Sequence, residues 1–215
     1  MDPNVRHELR RLTAAEDEAM TAARQRAGAT APPAEFGALL AWLARSRSAA
    51  AAVEVGSAGG VTGLWLLSAL SGRRALTSID PDPYGHALAV QSFEQAGLSE
   101  HARCILGDPG TVLSRLSDAA YDLLVLQLEP GPTLDHLEHG ARLLRPEGLL
   151  VVRGIARPGD QADASADLLD RLLALEAFDT VVIPFDDGIT LSCRREVAAD
   201  ATSADATSTH ATSAG

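Results

Sequence analysis

The stretch Val53-Glu54-Val55-Gly56-Ser57-Ala58-Gly59-Gly60 constrains this chain more than any other part of it. A β-branched apolar run from Ala51 to Val55, followed by Gly56, Gly59 and Gly60, reads as a strand, a tight turn and the start of a helix near Val61. Helix starts present free N–H groups and a positive dipole end, which suit an anionic group, here a carboxylate.

Glycine spacing narrows the ligand. A dinucleotide fingerprint places glycines at the first, third and sixth positions, but counted from Gly56 the later places hold Ala58 and Val61. A nicotinamide oxidoreductase is disfavoured for that reason. A second strand, Ala75 to Ile79, ends in Asp80, and an acid at a strand tip can accept hydrogen bonds from both hydroxyls of a ribose. The pattern therefore favours a nucleoside without a pyrophosphate.

Composition removes several classes of partner. The formal net charge is −11, all 18 basic residues are Arg, and no basic stripe is visible, so nucleic acid is not expected. No stretch has the apolar length of a membrane span, and Met1-Asp2-Pro3-Asn4 is not a signal peptide, so a cytoplasmic protein is expected. Cys104 and Cys193 both fall in predicted strands, where they are expected to pack as small hydrophobes and not as a disulfide.

The chain is long enough for one sizeable core. An amphipathic helix is predicted from Val5 to Arg26, ended by Gly28 and Pro32-Pro33, as part of an N-terminal helical cap over residues 1–34. From Glu35 to Glu196 helices and strands alternate, which predicts an α/β Rossmann-like fold: a seven-stranded, mostly parallel sheet with helices on both faces. Asp186-Asp187-Gly188 is too short for a crossover, so the last strand is expected to run antiparallel. Residues 197–215 are small and polar and are expected to form a disordered tail.

Seven segments, in order, resemble the S-adenosylmethionine-dependent O-methyltransferases of the catechol and caffeoyl-CoA type, in their small bacterial branch. They are Glu35-Phe36-Gly37-Ala38-Leu39-Leu40, Val53-Glu54-Val55-Gly56, Thr77-Ser78-Ile79-Asp80, Gly107-Asp108, Tyr121-Asp122-Leu123-Leu124-Val125, Arg142-Leu143-Leu144-Arg145-Pro146-Glu147-Gly148 and Pro184-Phe185-Asp186-Asp187-Gly188. The resemblance implies S-adenosyl-L-methionine as cofactor, a small-molecule methyl acceptor and a homodimer. It assigns cofactor contacts to Glu54, Gly56, Ser57, Gly60, Thr62, Asp80, Pro81, Asp108 and Glu129.

Several of these residues have a second, structural reading. Glu54 either orients the cofactor amino group or satisfies loop N–H groups; Asp80 either binds ribose or caps the helix before Pro83. Asp108 either meets the adenine amino group or caps the helix at Gly110, and Thr62 either touches the methionine carboxylate or is a capping hydroxyl. Trp65 is expected in the core, and His136 and His139 are expected to face solvent, their spacing being unlike a helical zinc pair.

The acceptor half departs from the family. Where the family has a metal-binding Asp and a Lys for acceptor deprotonation, this chain has Gln127 and Pro130, and Arg153-Gly154 replaces the Asp-Asn that completes the metal site. Hard cations gain most from carboxylate ligands, so a divalent metal is doubtful here. Gln127 is expected on the substrate side and Arg153 in a catalytic role, the alternative for Arg153 being a pair with Asp160 or Glu129. The expected function is metal-independent O-methyl transfer to a small-molecule hydroxyl; the alternative is a degenerate protein that binds the cofactor without turnover.

Overall fold

The computed structural model describes residues 8, 12, 14–127, 133–155 and 162–196. Its strands are β1 (Ala51–Val55), β2 (Ala75–Asp80), β3 (Ala102–Leu106), β4 (Tyr121–Leu126), β5 (Leu144–Arg153), β6 (Phe178–Ile183) and β7 (Ile189–Arg194). They form one sheet in the order β3-β2-β1-β4-β5-β7-β6. Pairings from β3 through β5 are parallel, and β7 is antiparallel to both β5 and β6. The antiparallel last strand is as the sequence predicts, and it enters the sheet between β5 and β6.

Around the sheet lie α1 (Glu18–Ala27), α2 (Ala34–Ser46), α3 (Val61–Leu67), α4 (Pro83–Gln95), α5 (Pro109–Leu113), α6 (Leu134–Leu143) and α7 (Ala162–Ala174). Strand residues alternate between two cores, because successive side chains point to opposite faces. Ala52, Leu123 and Val125 pack with Phe36, Leu40, Leu66 and Phe93 on one side. Val53, Val55, Leu124 and Leu126 pack with Leu113, Leu137 and Leu172 on the other. Each Val, Leu or Phe among these, fully buried, contributes roughly 1.5–3 kcal/mol.

The N-terminal helix differs from expectation. Residues 14–17 are not helical, and α1 starts at Glu18 because Asp17 caps it, its carboxylate accepting from the Met20 N–H at 2.8 Å. The helix ends at Gly28, as predicted, where φ is +58°. α1 packs on α3, α4 and the glycine turn. Trp65 is core, as expected: it is buried over Gly37, where any side chain would collide with its ring, and its Nε1–H reaches Glu16 at 3.3 Å. Cys104 and Cys193 are free thiols within β3 and β7. The tail from residue 197 lies outside the described residues.

Candidate active site

The parallel strands deliver their C-terminal ends to one edge, and the order reverses between β1 and β4, the place where α/β sheets open a crevice. A cleft of about 560 Å³ lies there, lined among others by Gly56, Gly59, Asp80, Pro81, Gln127 and Arg153. Residues from four different strand ends thus meet in one cavity.

The turn leaving β1 is held by backbone geometry that glycine makes possible. Gly56, Gly59 and Gly60 have φ of +84°, +64° and +87°. A Cβ on Gly56 would also stand 2.5 Å from the Gln127 carbonyl oxygen, and one on Gly60 2.9 Å from Ser92 Cβ. The turn is therefore wedged between the end of β4 and α4.

Asp80 ties this turn to β2. One carboxylate oxygen accepts from the Ser57 N–H at 2.9 Å and from the Ser57 hydroxyl; the other accepts from the Asp82 N–H at 2.9 Å. The cap of α4 is Asp82, which accepts from Tyr84 N at 3.2 Å and Gly85 N at 2.9 Å. Capping and strand-end roles are thus divided between the two acids of Asp80-Pro81-Asp82-Pro83. Gly85 keeps the space over Asp80 open, since a Cβ there would lie 2.9 Å from the carboxylate.

Glu54, on β1 two residues before Gly56, is fully buried. Its Oε1 accepts from the Ser78 hydroxyl at 2.7 Å, while Oε2 has no hydrogen-bond partner. Burial pushes this carboxyl up to about 8; the Ser78 bond opposes the shift and Asp80 adds to it. Neither oxygen bonds a loop N–H, so the Ser78 hydroxyl takes the place of the alternative expected from sequence.

Gln127 faces the cofactor turn. Its side-chain N–H groups donate to Gly56 O at 2.6 Å and to Thr62 Oγ1 at 2.8 Å, so Thr62 is engaged as an acceptor and is fully buried. Arg153 lines the cleft, and its Nε and Nη2 donate to one oxygen of Asp186 at 2.7 and 2.6 Å; the guanidinium lies 6.0 Å from the Phe36 ring centre. Among the described residues it therefore pairs with an acid, Asp186 of the β6–β7 turn; the acids expected from sequence, Glu129 and Asp160, lie outside the described residues. Asp187 of the same turn also lines the cleft, as does Thr30, neither of them expected as a site residue from sequence.

Asp108 is exposed and caps α5, accepting from the Thr111 N–H at 2.9 Å and its hydroxyl at 2.7 Å; those two bonds hold its carboxyl below the usual range. His136 is buried, contrary to the solvent-facing position expected, because it completes a capping box: its Nδ1 accepts from the Thr133 N–H at 2.9 Å. Thr-x-x-His is not the usual capping-box pair, which hid it from sequence reasoning. Among the described residues no three His, Cys, Asp or Glu cluster to hold a metal ion, and no helix is long and apolar enough to cross a membrane.

Residues 53–153 match the model of a family described as a methyltransferase domain. Curated proteins named provisionally as O-methyltransferases, from Mycobacteroides abscessus and Mycobacterium avium, are each 40% identical over 192 residues, covering 83% of this chain and 89% and 86% of theirs. A crystal structure of a Corynebacterium glutamicum protein superposes with a TM-score of 0.81 at 26% identity, covering 90% of this chain and 97% of that one. The Streptomyces achromogenes O-methyltransferase TomG, crystallised with S-adenosylmethionine, gives 0.82 at 22% identity, covering 90% and 96%. The chain belongs to the S-adenosylmethionine-dependent O-methyltransferase family, and its fold is the Rossmann-like fold of that family.

Proposed function

We propose that this protein transfers the methyl group of S-adenosylmethionine to a hydroxyl of a small molecule without a divalent metal. The observation that carries the reading is the meeting of the glycine turn, Asp80, Gln127 and Arg153 in one cleft at the sheet crossover. The residues there fit the cofactor. Gly56 to Gly60 would cradle its amino-acid end beside Thr62, Ser57 and Asp80 with Pro81 would border its ribose, and Asp108 would accept from its adenine; Glu129 is assigned by resemblance alone. Bound there, the cofactor supplies an activated methyl on a sulfonium.

The chain's own residues align the acceptor and exclude water. Orientation of this kind can supply about 7–11 kcal/mol of a two-substrate barrier. Asp186 fixes the guanidinium of Arg153 at the cleft wall, where its positive charge favours the ionised form of a nearby acceptor hydroxyl. A magnesium ion fits the acceptor half poorly: Gln127 and Arg153 bring no carboxylate to the cleft, and a cation beside Arg153 would be repelled.

A homodimer, a cytoplasmic location and a cap formed by residues 1–34 belong to the same reading; the homodimer rests on family resemblance, the other two on the sequence pattern. Incubation with methyl-labelled S-adenosylmethionine and a panel of phenols, thiols and amines tests it. Label on a phenol supports the reading, label on a thiol or amine alone redirects it, and binding without transfer to any acceptor would favour the non-catalytic alternative.

A further inference from the structure

Glu54 stands out as a buried acid with no counter-charge. Its Oε1 receives one hydroxyl from Ser78 on β2, and its Oε2 receives nothing. α3, Val61–Leu67, contains no charged residue and faces it with Gly63, where a Cβ would lie 2.7 Å from Oε1; α4 contributes the Phe93 ring to the same spot. β2 adds Asp80, another acid. β3 adds the Cys104 thiol, which burial pushes up to about 11, with Glu54 and then Glu94 of α4 adding to the shift. Arg26 of α1 gives Nη2 to Ser92 Oγ at 3.0 Å, and Arg24 pairs with Glu16. The charges that act most on Glu54 and its thiol neighbour, Asp80 and Glu94, are thus acids.

An ionised carboxylate in such a place is costly, and a buried carboxyl without a partner stays protonated instead. Glu54 lies two residues before Gly56 on the strand that feeds the turn, and low-dielectric surroundings let a cation in the cleft act on it without contact. We propose that Glu54 holds a proton while the cleft is empty and releases it to solvent when a positively charged ligand enters, so that the cofactor's charge is exchanged for a proton at this one side chain. The inference rests on the reading of the cleft as an S-adenosylmethionine site, and it makes Glu54 a positioning residue that sets affinity through its ionisation.

Calorimetric titration of S-adenosylmethionine into the protein, in buffers of different ionisation enthalpy, counts the protons released. Measurement below about pH 6.8 keeps the ligand's own α-amino group, of pKa about 7.7–8.0, protonated throughout. Close to one proton released per site is expected for the wild type and close to none for Glu54→Gln. The wild-type dissociation constant should rise towards about tenfold for each unit of falling pH below the free-state value, while that of the variant stays flat. Binding without proton release, or with equal release in both proteins, overturns the inference and leaves the cofactor site standing. Absence of binding at every pH overturns both. If Glu54→Gln does not fold, infrared difference spectra of the wild type decide: a protonated-carboxyl band lost on adding the ligand is expected, and its persistence refutes the exchange.

Discussion

Gln127 and Thr62, 65 residues apart, share a buried hydrogen bond of 2.8 Å that closes the end of β4 onto the first turn of α3. The same amide nitrogen reaches Gly56 O at 2.6 Å, so one side chain fixes both sides of the glycine turn. Replacement by Leu leaves a carbonyl and a hydroxyl unpaired in the interior. A loss of about 1–3 kcal/mol of stability in denaturant unfolding is expected, with weaker cofactor binding. Unchanged stability would remove Gln127 from this role.

Gly56→Ala places a methyl group 2.5 Å from the Gln127 carbonyl oxygen at a φ of +84°. The left-handed conformation alone costs a non-glycine residue roughly 1–2 kcal/mol, and the collision adds to it. A melting temperature lowered by several degrees is expected in calorimetry. Full stability with unchanged cofactor affinity would mean that the turn relaxes freely.

Asp80→Ala removes acceptors from the Ser57 N–H, the Ser57 hydroxyl and the Asp82 N–H, besides the ribose partner proposed here. Cofactor affinity should fall by about 1–3 kcal/mol, measured by calorimetry on the folded variant. Unaltered affinity would take Asp80 out of the cofactor site.

Glu54 makes the stability of the free protein depend on pH. With a folded-state value near 8 and an ordinary value of 4.5, the folded state binds the extra proton between these limits. Stability from this group is therefore full below the lower value and is lost as pH rises through the upper one. Unfolding of the empty protein should become easier as pH rises from 4.5 to about 8, and Glu54→Gln should flatten that slope. A slope that is the same in both proteins would place the titration elsewhere.

Much of this arrangement is legible in sequence because glycines and acids at strand ends are local signals. Gly56 to Gly60, the acid ending β2 and the antiparallel β7 follow from turn chemistry and alternation. The pairing of Arg153 with Asp186 does not: the two are 33 residues apart, and the placement of β7 beside β5 brings the β6–β7 turn to Arg153. The break at residues 14–17 was available as an Asp17 cap but was masked by the helix-forming Ala and Glu around it. The burial of His136 depends on a histidine in a place usually taken by Glu or Gln.

Methyl transfer from labelled S-adenosylmethionine to a phenolic acceptor, measured after exhaustive chelation and again with added magnesium, tests the central claim most directly. Equal turnover under both conditions is expected, with Arg153→Ala lowering it while cofactor affinity holds. Turnover abolished by the chelator and restored by magnesium would contradict metal-independent transfer.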